Sequence, residues 1–282
     1  MNNVLFDAPG PKARLRQRIY TVIGALVIVG FLAWLVLRMQ DYGQLDYEQY
    51  WEVFVTPTYV DIIVQGLRDT LLMAVSSIIA ALAVGVVFGV GKLSEHAWIR
   101  WPCWAVVEFF RAIPVLLLML FIYFTYGIGD GFGSYWSVVI ALTLYNGAVL
   151  AEVFRAGLLA VPNGQSEAGY AIGLGKTQVT MIVLLPQAVK IMLPAIISQM
   201  VVALKDTSLG YVITAPGLTD AYRLIKIEFT NQLPAAIVIG AIYIVVNLIL
   251  TWIATMVQKR IVGEKKQLEV PAVGGPGSGT AV

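Results

Sequence analysis

Apolar residues gather into six long runs along this chain, at 19–38, 64–92, 103–126, 135–159, 184–204 and 234–257, with polar segments between them. A helix of about 20 apolar residues crosses the ~30 Å hydrocarbon core of a bilayer. Each run therefore predicts one transmembrane helix, and the pattern predicts an all-α, polytopic membrane protein with six spans. The second run is longer than a span needs, so its ends should tilt or project. The first run follows Lys12, Arg14, Arg16 and Arg18, as the h-region of a signal peptide would. It is too long for an h-region, however, and it ends in Arg38 and Met39 with no small-x-small cleavage site, so an uncleaved first helix is expected.

Composition agrees with the pattern. The 282 residues are 59% hydrophobic and 13% charged, with a mean hydropathy of +0.79, against about 45–50% and about 25% in soluble domains. A net charge of +2 excludes a nucleic-acid-binding role built on bulk basicity. Cys103 is the sole cysteine, so no intrachain disulfide is possible, and its apolar neighbours predict an inert thiol.

The distribution of charge orients the spans. The basic N-terminal arm is expected in the cytoplasm. The loop 39–62 carries Asp41, Asp46, Glu48, Glu52 and Asp61 without Lys or Arg and is expected outside. Alternation makes 92–102 and 160–183 cytoplasmic, 127–134 and 205–233 external, and both termini cytoplasmic. The loop 205–233, with Lys205, Arg223 and Lys226, runs against the bias; Arg223 and Lys226, with Glu228 nearby, lie on a predicted small helix that is either a solvated face or a contact for a binding protein. The tail 259–282 begins with Lys259, Arg260, Lys265 and Lys266 and turns Gly/Pro/Ser-rich, which predicts disorder from about residue 270.

One polar segment stands apart from ordinary connecting loops. Ser166–Pro186 reads SEAGYAIGLGKTQVTMIVLLP, and Glu167 to Leu174 predicts a short helix with Ser166 as N-cap. Gly173 and Gly175 would end it and keep its surface low, and Pro186 would start or kink the next span. Within it, Gly173-Leu174-Gly175-Lys176-Thr177 imitates the end of a P-loop, but the position that needs the first glycine is Tyr170, and the preceding segment is a span instead of a strand. Nucleotide binding there is not expected, and Lys176 reads as an inside-facing charge.

The segment resembles the coupling loop of ABC-importer permeases, whose pattern runs Glu-Ala-Ala, three residues, Gly, nine residues, an aliphatic residue, one residue and Leu-Pro. Here Glu167, Ala168, Gly169, Gly173, Val183, Leu185 and Pro186 keep that spacing, with Gly169 in place of Ala and Val183 where Ile is usual. Three further stretches resemble polar amino-acid ABC permeases in the same order: EFFRAIP at Glu108–Pro114, EVFRAG at Glu152–Gly157 and KDTSL at Lys205–Leu209. In the first, Ala112 and Ile113 replace Gly and Thr. Over the whole chain the likeness is to glutamate permease subunits of actinobacteria.

The resemblance implies a five-helix permease core over 62–258, with the coupling loop at 160–183. Residues 1–61 would add a basic arm, an extra first helix and an external loop. It implies no ATPase site in this chain: ATP and Mg would be held by two partner ATPase subunits, which Glu167, Ala168, Gly169, Gly173, Leu174, Gly175, Leu185 and Pro186 would contact or shape. A second, related permease subunit and an extracytoplasmic amino-acid-binding protein would complete an importer in the cell membrane.

Charges within spans are costly and tend to face the bundle interior or water. Glu108 and Arg111, and Glu152 and Arg155, are three apart and can neutralise locally. They read either as interfacial salt bridges or as an inner gate or substrate path, for which Arg111 is the strongest candidate because a guanidinium binds a carboxylate bidentately. Lys205, Asp206, Thr207 and Ser208, ahead of the Gly/Pro-interrupted LGYVITAPGLT, offer the opposite charges and hydroxyls an amino acid needs, or cap the outer end of a span. Asn146 lies mid-span, where its amide must bond across helices or contact substrate. Gly85 and Gly89 form a GxxxG packing face. The sole histidine, His96, falls in a loop, and no metal-ligand cluster or nucleophile–base pair is evident. An ion-coupled secondary transporter shares this composition but usually shows two related halves, which are not evident here. A membrane-embedded enzyme would have only carboxylates from which to build its site.

Overall fold

The computed structural model describes residues 11–262; the expected disorder of the tail from 270, and Lys265 and Lys266, lie outside the described residues. The described residues form helices α1 (Pro11–Asp41), α2 (Pro57–Lys92), α3 (Ala97–Ala112), α4 (Val115–Ile122), α5 (Gly133–Leu159), α6 (Asn163–Ala171), α7 (Lys176–Gln178), α8 (Leu185–Asp206), α9 (Leu218–Glu228) and α10 (Gln232–Val262). There is no strand among them. Five helical stretches are long and apolar enough to cross a membrane, and a sixth span results if α3 and the stretch Val115–Gly127 are taken together.

That sixth span corrects the expectation of one continuous helix over 103–126: the chain bends by 99° between α3 and α4. Pro114 is the reason. The residue ahead of a proline is pushed out of the helical region, and Ile113 sits extended at φ −85°, ψ 128°. Pro102, by contrast, is accommodated inside α3. The segment expected as a loop over 92–102 is also shorter than anticipated, since Lys92 closes α2 and α3 begins at Ala97.

The described residues fall into two compact units. The smaller takes its residues from Met1–Val64 and Ala221–Ile239, the larger from Gln65–Asp220 and Gly240–Val282. In the smaller unit, α1 buries no residue of its apolar window, as expected of a helix whose partner is lipid. The polar segment after it is tied to the turn between α9 and α10. Tyr59 donates its hydroxyl to Glu228 Oε1 (2.7 Å) and its ring meets Phe229 edge-on at 5.0 Å. The Asn231 amide donates to the Tyr50 carbonyl, and the Trp51 indole donates to the Gln44 carbonyl at 2.9 Å.

The larger unit is organised around α5, the most buried of the long helices. Its Val138, Val139, Ala141 and Leu142 join Met73, Leu118, Met119, Ile122 and Ile213 in the main apolar core. Small residues let the backbones approach. Gly85 and Gly89 lie against Gly147, Leu150, Ala151 and Phe154: a Cβ on Gly89 would stand 2.9 Å from the Ala151 carbonyl oxygen, and one on Gly85 2.8 Å from Leu150 Cβ. The GxxxG face of α2 thus meets α5. Met192 packs on Gly157 and Gln199 reaches Asn146, so α8 runs antiparallel to α5. Beyond α8 the chain tightens into a 3-10 turn, Thr207–Ile213, ending at Thr214 in the left-handed region (φ 52°). Thr70, almost fully buried, accepts the Leu218 backbone N–H at 2.9 Å and anchors the start of α9.

Candidate functional site: coupling segment and charge network

The Ser166–Pro186 segment forms a short helix that differs in its start from the expectation. α6 begins at Asn163 after Pro162, three residues ahead of Ser166, and Ser166 is an interior residue whose hydroxyl donates to the Asn163 carbonyl at 2.7 Å. Its end is closed by Gly173, at φ +85°, a conformation only glycine adopts without strain. There Gly173 N–H donates to Tyr170 O (2.9 Å) and Leu174 N–H to Gly169 O (3.2 Å), the paired bonds of a Schellman cap.

The helix is seated through Gly169, which is buried. A Cβ at this position would stand 2.9 Å from Cγ2 of Val179, itself without exposed surface. The Gly-for-Ala difference noted at this position thus meets a specific neighbour. Glu167, Ala168, Gly173 and Gly175 are exposed, whereas Leu174 and Leu185 are partly covered; Pro186 occupies the first turn of α8 and is exposed. Tyr170 and Ile172 also stand out, Ile172 with 77% of its surface exposed. Both are docking candidates that the sequence reading passed over; an apolar residue on a short, otherwise polar helix is the signal that marks them. Lys176 forms an ion pair with Glu95 of the α2–α3 connection, and this bond holds the Glu95 carboxyl below its usual range.

The charges inside the helices assemble into one network. Arg111 Nη1 donates to both oxygens of Glu108 at 3.1 and 3.2 Å, and Arg155 Nε donates to Glu152 Oε2 at 3.1 Å. Between the two pairs lies Lys92, with 4% of its side chain exposed, whose ammonium contacts Glu108 (3.3 Å) and Glu152. Three helices are thus joined in the order Arg111–Glu108–Lys92–Glu152–Arg155. Lys92, which falls where the second apolar run meets the expected loop 92–102, is the centre of this network. Its position as the last residue of α2, facing two carboxylates from other helices, is not written in local spacing.

The remaining candidates do not join this network. Asn146, almost fully buried, accepts a bond from Gln199 Nε2 (2.6 Å) and donates to the Leu142 carbonyl (2.8 Å), so its amide ties α5 to α8. Lys205 and Asp206 end the antiparallel α8 beyond Gln199, at the end away from Arg155, and Thr207 and Ser208 open the 3-10 turn that follows. Their two hydroxyls go to different partners, and Thr207 meets the Tyr243 hydroxyl together with Thr70. Thr207 is buried and donates to Leu204 O (2.7 Å), while Ser208 donates to Lys205 O (2.7 Å). A hydroxyl next to a helix end is readily captured by its own carbonyls, which is why proximity in sequence overstated their availability.

Comparison with known proteins gives these features a context. Residues 81–263 match the family described as binding-protein-dependent transport system inner membrane component. The glutamate transport system permease protein GluD of Corynebacterium glutamicum is 41% identical over 223 residues, 78% of this chain and 82% of that protein. The arginine transport system permease protein ArtQ of Bacillus subtilis is 32% identical over 208 residues, 72% of this chain and 93% of that protein. Among solved structures, a chain from an amino acid ABC transporter with histidines matches with a TM-score of 0.67 at 27% identity, over 72% of this chain and 95% of that one. A chain of the inward-facing MetNI methionine ABC transporter shares the fold, with a TM-score of 0.62 at 20% identity over 73% of this chain and 99% of that one. Matched over most of its membrane-spanning length, this chain belongs to the family of inner membrane components of binding-protein-dependent transport systems and is a membrane-embedded transport component.

Proposed function

We propose that the chain is the permease subunit of an ATP-driven amino-acid importer, taking glutamate or another polar amino acid, as the names of its relatives suggest. The observation that carries this reading is α6: a short helix closed by a glycine cap, seated on Val179 through Gly169, with Glu167, Ala168, Tyr170 and Ile172 outward. Such a knob suits a groove on a separate ATPase. The chain has no ATPase site of its own in this reading; ATP and Mg are bound by two partner ATPase subunits. A second, related permease chain and an extracytoplasmic binding protein complete the assembly, and both termini of this chain lie in the cytoplasm.

In the cycle that follows, closure of the ATPases draws the coupling helices together and turns the spans outward-open; substrate then passes from the binding protein to the interface, and hydrolysis restores the inward state. The Lys92-centred network acts as an inner gate, with Arg111, Glu152 and Arg155 its outer members and the substrate path beside it. Lys205, Asp206, Thr207 and Ser208 contribute at the opposite end only if the 3-10 turn opens and frees their polar groups. Asn146 keeps α5 and α8 in register along the path. The test is reconstituted uptake with partner permease, ATPase and binding protein, comparing wild type with Glu167→Lys. Charge reversal should abolish substrate-stimulated ATP hydrolysis and uptake while the permease stays folded; unchanged uptake, or uptake without any ATPase, would sink the reading.

A further inference from the structure

A cleft of about 490 Å³ opens beside the charge network, lined by Lys92, Arg100, Trp101, Trp104, Glu152 and Arg155 together with Glu108. Its polar groups do not cancel: three cations line it against two carboxylates. Two of the cations have donors to spare. Arg100 gives Nη1 only to the backbone carbonyls of Ser94 (3.2 Å) and Glu95 (3.5 Å), and Arg155 gives Nε to Glu152. A guanidinium has five N–H donors in a planar fork, so both can still bind an anion.

The rim points to the kind of anion. Trp98, Trp101 and Trp104 follow one another at three-residue intervals along the first turns of α3 and are 75%, 62% and 48% exposed. Trp101 and Trp104 meet edge-on at 5.8 Å. Exposed indoles grouped on one helix sit at the level where headgroups meet hydrocarbon, and basic pockets between helices at that level take anionic lipid headgroups.

We propose that this cleft binds the phosphate of an anionic phospholipid, held by the guanidinium groups of Arg100 and Arg155, with Trp101 and Trp104 packed against its glycerol and upper acyl chains. The Glu152 carboxylate keeps Arg155 oriented, and Lys92 adds positive potential from behind. The lipid would thereby brace α3 against α5 at the end of the bundle that carries the Lys176–Glu95 tie. This inference rests on the membrane embedding of the family and shares Arg155 with the proposed gate; lipid retention reads it separately from uptake, so the two readings fail in different measurements.

The experiment places the full chain in nanodiscs of mixed phosphatidylglycerol and phosphatidylcholine, extracts it in detergent and counts retained lipid by native mass spectrometry. Wild type should retain phosphatidylglycerol in preference to phosphatidylcholine. Arg100→Gln should lower that retention about tenfold, on the scale of one lost charge-assisted hydrogen bond. Lys259→Gln, the same charge change on α10, should leave it unaltered. Trp104→Ala, which keeps every charge, should also lower it and guards against a folding defect in the arginine variant. Equal losses in Arg100→Gln and Lys259→Gln, or no loss in either cleft variant, would overturn the proposal. So would displacement of the lipid by millimolar inorganic phosphate, which would identify a free-anion site.

Discussion

Lys92 holds its ammonium almost out of solvent between two carboxylates contributed by other helices. Removing one partner of a buried ion pair leaves an uncompensated charge and costs about 3–5 kcal/mol, whereas replacing both with apolar or neutral groups is often close to neutral. Glu152→Gln should therefore lower the unfolding temperature of the purified protein markedly, and combining it with Lys92→Met should recover much of the loss. A thermal-unfolding double-mutant cycle reads this directly; additive losses would show that the two residues do not interact. The flanking i,i+3 pairs were legible in the sequence because helical spacing fixes them. The centre was not, because contact between positions 92 and 152 depends on how α2 and α5 pack. For the same reason Thr207 and Ser208 looked available as neighbours in sequence, yet Ser208 is taken up by the Lys205 carbonyl and Thr207 by the Leu204 carbonyl and the Tyr243 hydroxyl.

Among the elements, α6 has the strictest geometry. A side chain on Gly169 must displace a methyl of Val179, and Gly173 needs a left-handed backbone to close the cap. Gly169→Leu should lift α6 from its seat and uncouple ATP hydrolysis from transport in the reconstituted system, while Gly169→Ala, which asks only a small shift of a side-chain methyl, should be much milder. Equal coupling in the Leu variant and the wild type would show that α6 does not transmit the ATPase movement. The long helices were legible because a continuous apolar run of this length has few alternatives. The break at Pro114 was harder to see. Its surroundings are apolar on both sides, so hydropathy carries no sign of it, and only the restriction on Ile113 reveals the turn. The early start of α6 was hidden likewise: Ser166 is a good N-cap by type, but Pro162 opens the helix sooner.

For the whole molecule, the all-helical membrane character and the order of motifs could be read from the chain, since both follow from hydropathy and local spacing, whereas the sixth span holds only if the bent pair of α3 and Val115–Gly127 counts as one. The division of contacts into two compact units could not, because each unit draws on segments far apart in sequence: the residues after α1 are secured to the α9–α10 turn through Tyr59–Glu228 and Asn231–Tyr50. The glycine contact of α2 with α5 has a mechanical consequence for any transport cycle. Backbones that touch without intervening side chains have no lubricating layer; sliding one past the other would drive Gly85 and Gly89 into Leu150 and Phe154. The two helices must therefore travel as a single strut. A bulky side chain forced into this contact, as in Gly89→Leu, should therefore lower uptake in the reconstituted system, unchanged uptake would show that the contact is dispensable, and the hinges of the cycle must be sought elsewhere.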